Sequence, residues 1–438
     1  MGGDAFAQAV SQSEDHPTLH TPRMDPATYT SLRDTYTQKL VSCLPSARVL
    51  PYKEAPEKTD YGDIDYLVAT SDAVNFSELA QHIGAAAYLP RGTNTASFAV
   101  RHDGHVGSEP TRYTQIASDR PNARQPSKTV TLELYAQVDL AVASLDEADW
   151  RMFMASYSDL SGIIGNIIRN VGFTLNHSGL YLRLRELDEA KPKNYINVSD
   201  SDGMVLLTDD VSMALSFLGL DVSSYDAGFD TLADMYAWVA GCKYLYPEAI
   251  FKKRDTCRDR QKARSRPVFT GFFDEWLPSN KPAFAPVRRA SSDATLAPST
   301  GNVEEDTLSA YRLEALQESL DCFSKQQDYT TKHSTLIRTV SNATAAYLLK
   351  PMIGAASGRQ GTSLTEILRA FRRWVGIDEN GKLVVSEKRH MDKEALLYSV
   401  LDESGEAIRE REVVEAWIAE HWEEIRRKER MTAKEGSA

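Results

Sequence analysis

One segment indicates the fold of the N-terminal half of this chain: Lys58-Thr59-Asp60-Tyr61-Gly62-Asp63-Ile64-Asp65-Tyr66-Leu67-Val68. Its apolar end predicts a buried strand, in which side chains at i and i+2 share a face. Asp63 and Asp65 should therefore project together, while Ile64 faces the other way. Neighbouring carboxylates repel each other unless a cation lies between them, and hard divalent cations prefer oxygen ligands. The pattern predicts a metal site where the strand begins.

A third acid comes from the stretch TVTLELYAQVDLAVA, residues 129–143, whose alternation predicts a second strand. Asp139 is the lone acid of its apolar second half, and a buried unpaired carboxylate is costly. We therefore expect Asp139 on an open face or near a metal, where it completes the set that two-metal phosphoryl transfer requires. An isolated D-x-D is a weak signal, because acidic pairs also close surface turns, and we expect the neighbouring Asp60 to be a solvated turn residue.

Three further residues are predicted to bind nucleotide. Gly62 permits close approach of a ligand to the backbone, where a larger residue would obstruct it. Lys53 and Lys58 lie in the loop before the acids and are predicted to hold phosphate as point charges.

The run GDIDYLV, residues 62–68, resembles the catalytic segment of the family X DNA polymerases and of the wider polymerase-beta-like nucleotidyltransferase superfamily. Asp139, within QVDLAV, matches the third acid of that family. The stretches GFTLNHSGL (172–180) and ALSFLGL (214–220) resemble later family X segments in the same order. The resemblance covers roughly residues 50 to 222. It implies an α+β fold, with a nucleotidyltransferase-type mixed β-sheet domain followed by mostly α-helical domains.

The sequence also departs from the family. Tyr52-Lys53 stands where the superfamily normally has Gly-Ser or Gly-Gly to hold the triphosphate. No Tyr-Phe-x-Gly motif lies near Phe153, and we expect no DNA-gripping helix-hairpin-helix domain in the short N-terminal stretch. These departures argue against templated DNA synthesis more than against catalysis, because all three acids are present.

Composition narrows the class of protein further. The formal net charge of −12 disfavours nucleic-acid binding through bulk charge. The densest basic run, FKKRDTCRDRQKARSR at 251–266, is either an RNA- or DNA-contacting helix or a solvated helix face. Four widely separated cysteines and no apolar run of about 18 residues predict an intracellular protein, cytoplasmic or nuclear, without a membrane span.

Changes in pattern along the chain predict its domain organisation, while the oligomeric state stays open. The predicted segments are a disordered tail (1–26), a catalytic domain (27–148), a helical thumb-like domain (149–278), a flexible linker (279–307) and a helical C-terminal module (308–438).

The catalytic hypothesis is transfer of a nucleoside monophosphate from a nucleoside triphosphate to an acceptor hydroxyl, with Mg²⁺ or Mn²⁺ as cofactor. A nucleic-acid 3′ end is slightly favoured as the acceptor. Two alternatives remain open: transfer to a small molecule or protein, and a module of the same fold that binds nucleotide or RNA without turnover.

Overall fold

The computed structural model describes residues 5–6, 19–102, 112–116, 129–184, 202–247, 250, 266–280, 303–379, 382–389 and 411–435. The chain divides into two compact units. The first comprises Met1–Tyr181 and Leu206–Cys322, and the second comprises Leu182–Val205 and Phe323–Ala438.

A five-stranded mixed sheet organises the first unit. The strands of the N-terminal region are β1 (Arg48–Pro51), β2 (Ile64–Ala69), β3 (Ala87–Pro90), β4 (Thr95–Arg101), β5 (Arg112–Ile116), β6 (Thr129–Glu133) and β7 (Tyr135–Ala143). The order in the large sheet is β1-β2-β7-β4-β3, with β2 and β7 parallel and the other neighbours antiparallel. The predicted α+β class with a mixed sheet is confirmed.

Two helices, α1 (Pro26–Cys43) and α2 (Phe76–Ile83), close one face of this sheet. Asp25 caps α1, because its carboxylate accepts the backbone N–H of Thr28 at 2.7 Å, and Asn75 caps α2 in the same manner. The side chains of alternate residues in the strands are buried in the core beneath these helices. From the central strands it contains Ile64, Tyr66, Val68, Ala96, Phe98, Val100, Ala136, Val138 and Leu140.

A third helix, α3 (Ala148–Ala155), covers part of the opposite face. Ala148 packs there against Leu67, Ala69 and Ala143, which lie toward the ends of β2 and β7. The starts of the same strands carry polar residues on this face. The sheet is therefore closed by apolar packing on one side and only partly covered on the other.

The end of the predicted disordered tail is ordered against the sheet, which corrects that expectation for residues 19–26. Met24 exchanges two backbone hydrogen bonds with Tyr61, at 2.7 and 2.9 Å, and its side chain is buried in the core. His20 forms a bridge with Leu134, and Phe6 is buried nearby. The polar composition of the tail concealed these two apolar side chains, which bury enough surface to order the backbone around them. Residues 7–18 lie outside the described residues.

The stretch between β4 and β7 contains more strand than its composition indicates. Residues 107–128 are polar and contain proline, yet β5 lies among them and pairs antiparallel with β6 to form a two-stranded sheet. The single strand expected over 129–143 is therefore two strands that belong to different sheets. The pairing of β5 with β6 determines this arrangement. The composition of each segment alone does not indicate which strands pair.

The region after the sheet is largely helical but carries strands that the helical pattern did not predict. Its strands β8 (Phe173–Asn176), β9 (Gly179–Arg183) and β10 (Met204–Thr208) form a small sheet in the order β10-β9-β8. Its helices are α4 (Leu160–Arg169), α5 (Val211–Leu218), α6 (Val222–Ala227), α7 (Leu232–Ala240), α8 (Pro267–Thr270) and α9 (Leu277–Asn280), with a π-helical segment at Gly271–Trp276. The helix α10 (Val303–Phe323) follows, and residues 281–302 of the predicted linker lie outside the described residues.

Beyond Phe323, the described residues of the second unit form three long helices and a two-stranded hairpin. Its elements are α11 (Gln326–Ser357), α12 (Gly361–Trp374), β11 (Val375–Ile377), β12 (Leu383–Val385) and α13 (Arg411–Glu435). Trp374, Phe371 and Ile425 belong to its apolar core, and the indole N–H of Trp374 donates to Glu429 at 3.0 Å. Among the helices that the structure describes, none combines the length and apolar character needed to cross a membrane.

Substitutions in the cross-strand pair Tyr88 and Phe98 test whether Phe98 belongs to the core of the sheet. The two rings stack with centroids 6.2 Å apart, but Phe98 is fully buried whereas Tyr88 is 36% exposed. We expect Phe98→Ala to cost about 3–5 kcal/mol because it leaves a cavity, and to lower the Tm by roughly 10 °C in scanning fluorimetry.

The matched control is Tyr88→Ala, which removes an aromatic ring from the same pair at the surface. Its Tm should fall by less than a third as much. Equal losses for the two variants would contradict the placement of Phe98 in the core.

Candidate functional site

The register of two parallel strands brings the three predicted acids together. Asp65 on β2 lies directly opposite Asp139 on β7, and Asp63 comes just before β2. Each of the three side chains is half-buried and offers a carboxylate oxygen within 4.8 Å of the others. Ile64 is buried in the core on the other face, as the alternation predicts.

Burial and mutual repulsion raise the pKa values of two of these carboxyls, Asp63 and Asp65. Burial raises the pKa of Asp65 above its ordinary value, and the charges of Asp63 and Asp139 raise it further. The pKa of Asp63 is also raised, first by burial and then by Asp139. Three like charges in a half-buried space are unstable near neutral pH unless a cation neutralises them. The donor set, three hard oxygen ligands, fits a divalent cation such as Mg²⁺ or Mn²⁺.

Gln137 fixes the position of Asp139, and the sequence analysis did not single it out. Its side-chain amide donates to both carboxylate oxygens of Asp139, at 3.0 Å each. Its own carbonyl oxygen accepts the backbone N–H of Ala5 at 3.1 Å. Gln137 is buried, and its position two residues before Asp139 places it on the same face of β7. That spacing was the available signal: a polar residue at i−2 within an apolar strand.

Ser97 is the second residue that the sequence did not indicate. It lies opposite Asp139 on the neighbouring strand β4 and is 1% exposed. Its hydroxyl has no hydrogen-bond partner in the part of the chain that the structure describes. A buried hydroxyl normally has a partner, so Ser97 is an exception among the described residues.

Lys58 lies within electrostatic reach of the acids. Its ammonium lowers the pKa of Asp63 and pairs with Glu54 at 2.6 Å. Glu54 also accepts the hydroxyl of Tyr29 at 3.1 Å, and its charge raises the pKa of Asp65. Lys58 therefore supplies positive charge near the acids, partly offset by a fourth carboxylate.

Lys53 points to a different part of the unit. Its ammonium donates to the backbone carbonyls of Tyr225 and Asp226, at 3.2 Å each, and lies 5.0 Å from the centre of the Tyr225 ring. These contacts engage the Lys53 ammonium, which was predicted to bind phosphate. Phosphate binding by Lys53 stays a prediction, and it would require the side chain to leave these carbonyls.

Tyr52, directly after β1, lies beside Asp65, and Arg151 on α3 acts on Tyr52. The backbone N–H of Tyr52 donates to the carbonyl of Asp65 at 3.2 Å, and burial with the Asp65 charge raises the Tyr52 pKa to about 12. The charge of Arg151 opposes this increase in the Tyr52 pKa, so the guanidinium acts on the Tyr52 hydroxyl. Its Nε is buried without a partner among the described residues, although the guanidinium pairs with Glu147 at 3.1 Å. Only the tertiary fold brings this cation close enough to act on Tyr52.

The remaining residues predicted to bind nucleotide or nucleic acid are Gly62 and the basic stretch 251–266. Gly62 is buried immediately before Asp63, and its role in backbone approach stays a prediction. Of the basic stretch 251–266, only Arg266 falls within the described residues. Its Nε donates to Asp159 at 2.5 Å, which is a structural ion pair.

No family model and no curated protein matches this sequence. Among solved structures, the chain is similar to Leishmania infantum polymerase beta in its ternary gap complex, with 11% identity, 50% of this chain and 78% of that chain covered, and a TM-score of 0.31. The ternary P/T complex of the same polymerase gives 11% identity, 49% and 85% coverage, and a TM-score of 0.29.

Metal binding by the three acids can be tested directly. We expect Mn²⁺ or Mg²⁺ at about 100-fold above Kd to raise the Tm of the protein by roughly 5 °C or more, because only the folded state assembles the ligands. Asp139→Asn should abolish this rise. In EDTA, Asp65→Asn should be at least as stable as the parent at pH 7, because a carboxyl with a raised pKa destabilises the fold when ionised.

Asp60→Asn is the matched control. Asp60 lies in the same segment but is exposed and pairs with Arg23, so its variant should keep the full metal-dependent rise. A rise that persists in Asp139→Asn would place the bound cation elsewhere.

Proposed function

We propose that this protein is a metal-dependent nucleotidyltransferase that transfers a nucleoside monophosphate from a nucleoside triphosphate to an acceptor hydroxyl. The observation that carries the proposal is the convergence of Asp63, Asp65 and Asp139 within 4.8 Å on one half-open face of the sheet. The charges, donor types and partial burial of this group suit hard divalent cations that bridge phosphate oxygens.

The acids divide into two roles in the proposed reaction. Asp63 and Asp65 would hold both divalent ions, and Asp139 would complete the catalytic metal site. Bound divalent ions would lower the pKa of the attacking hydroxyl and offset the charge that develops on the phosphates. Asp139 assists removal of the hydroxyl proton, while Gln137 keeps its carboxylate in one orientation through two hydrogen bonds.

The proposed chemistry is one substitution at phosphorus. The acceptor oxygen forms a bond to the α-phosphorus, and the bond from that phosphorus to the oxygen bridging to the β-phosphate breaks. Pyrophosphate leaves with the electron pair, and the hydroxyl proton passes to water with the help of the Asp139 carboxylate. The acids do not change covalently, so their contribution is position and charge.

Side-chain cations are the proposed triphosphate ligands, in place of the missing Gly-Ser. Lys58 is supported by its electrostatic effect on Asp63, and Arg151 by its effect on Tyr52 beside Asp65. Both side chains donate hydrogen bonds that phosphate oxygens accept, and arginine can do so through two N–H groups at once.

The acceptor is proposed to be a nucleic-acid 3′ end. Transfer to a small molecule or a protein hydroxyl uses the same metal centre and is the alternative within the enzyme class. A nucleotide-binding module without turnover is the second candidate, and a specific observation favours it: the ammonium of Lys53 is held by the carbonyls of Tyr225 and Asp226.

A label-transfer assay separates these possibilities. The protein is incubated with each α-labelled nucleoside triphosphate, Mg²⁺ or Mn²⁺, and single-stranded RNA, DNA or protein acceptors. We expect label to enter one acceptor class, and Asp63→Asn, Asp65→Asn or Asp139→Asn to lower the rate at least about 100-fold by removing a metal ligand.

Asp60→Asn should transfer label at the parental rate. If no acceptor is labelled while nucleoside triphosphate still binds, the module without turnover is correct. If the Asp139→Asn variant retains the parental rate, the proposed site is wrong.

The two lysines provide a second comparison. We expect Lys58→Gln to raise the KM for the nucleoside triphosphate roughly 3- to 10-fold, as loss of one partly exposed charge contact would. Lys53→Gln should change KM less, because its ammonium already binds backbone carbonyls. Initial rates over a range of triphosphate concentrations measure both, and the reverse order would identify Lys53 as the phosphate ligand.

A further inference from the structure

The second unit contains a concentration of arginines outside the acidic site. On α13, Glu423, Arg426, Arg427 and Arg430 recur at i, i+3, i+4 and i+7, which places them along one face of the helix. They line a cavity of about 370 Å³ together with Trp422, Met431 and Arg359.

A second cavity, of about 390 Å³, adjoins the first through Arg359. Arg359 lies in the turn between α11 and α12, where Gly358 and Gly361 have φ values of 62° and 58°. Lys350 and Gln360 also line this second cavity. We call the combined surface of Lys350, Arg359, Trp422, Arg426, Arg427 and Arg430 the arginine groove.

The charge of the arginine groove is only partly neutralised by the protein. Glu366 accepts two hydrogen bonds from Arg430 at 3.1 Å each and lies 3.6 Å from Arg426. Arg359 and Arg427 are exposed and have no ion pair among the residues that the structure describes. Glu423 is the one acidic residue that lines either cavity, against five cationic residues.

The start of α12 adds to this positive surface. Gln360 occupies the N-cap position but makes no side-chain capping hydrogen bond, so the first-turn N–H groups are not satisfied by that side chain. Helix N-termini attract anions, and phosphate is a common ligand there. Backbone and side-chain donors therefore meet at the second cavity.

We infer that the arginine groove binds the sugar-phosphate backbone of a single-stranded nucleic acid. Guanidinium groups match phosphate through two parallel N–H donors, and several of them along one helix face suit a repeating polyanion. Trp422 is half-buried against the core, and its remaining exposed surface lies among the arginines, where a base can stack. An acidic peptide would engage the arginines but would gain little from the indole.

The inference goes beyond the proposed catalytic function and does not depend on it. Binding is measured in EDTA, without nucleoside triphosphate, so loss of metal at the acids does not affect the readout. The same strand could serve as an acceptor if the transfer reaction is confirmed, but the groove would bind it in either case.

Fluorescence anisotropy of the full-length chain tests the inference. The probes are a 20-nucleotide labelled single-stranded RNA, the same sequence as single-stranded DNA, and a duplex, titrated over a range of salt concentrations. Each single-strand phosphate contact contributes about 0.7 to the slope of log K against log salt. The double variant Arg359→Gln/Arg427→Gln should therefore bind about 25-fold more weakly at 0.1 M salt, with a slope smaller in magnitude by about 1.4.

Matched variants separate local contacts from global charge and from folding. Arg91→Gln/Lys382→Gln removes two exposed positive charges that line neither cavity, and it should bind within about twofold of the parent. Arg359→Lys/Arg427→Lys should retain most of the slope. The Tm of each variant should equal that of the parent, because every substituted side chain is exposed.

Three results would overturn the inference. The first is that the glutamine variant binds single strands as tightly as the parent does. The second is that the duplex binds more tightly than the single strand. The third is that polyglutamate displaces the probe as well as an unlabelled oligonucleotide of equal charge does.

Discussion

The organising constraint of this protein is the repulsion among three carboxylates that the parallel pairing of β2 with β7 holds together. The strand register leaves Asp65 and Asp139 no freedom to separate, because shifting it would turn every apolar side chain of β2 toward the wrong face. The apolar core beneath α1 and α2 thus keeps the three carboxylates together, and burial with their mutual repulsion raises the pKa values of Asp63 and Asp65. The donor set suits a divalent cation.

The surroundings of the acids divide into positioning groups and charge-balancing groups. Gln137 orients Asp139 from the same strand, and Ser97 offers a buried hydroxyl from the adjacent one. Lys58 brings positive charge from a loop, and the Arg151 charge on α3 acts on Tyr52. In the proposed reaction these two side chains would take the place of a glycine-rich phosphate loop. A side-chain ligand is longer and more flexible than a backbone amide, so the proposed triphosphate binding would depend more on charge and less on fixed geometry.

Charge is also segregated along the chain. The protein is acidic overall, yet the second unit gathers five cationic residues along two adjoining cavities. Net charge does not describe such a local cluster, because exposed charges act over roughly one Debye length whatever the distant surface carries.

From the sequence alone, the three acids, the α+β class and the shared face of Asp63 and Asp65 were predictable, because strand alternation and carboxylate chemistry are local properties. Gln137 was accessible to the same reasoning two residues before Asp139. The ordered contacts of Met24 and Phe6, the pairing of β5 with β6, the diversion of Lys53 to the Tyr225 and Asp226 carbonyls and the approach of Arg151 were not predictable. Each joins residues far apart in the chain, and only tertiary packing decides which distant groups become neighbours.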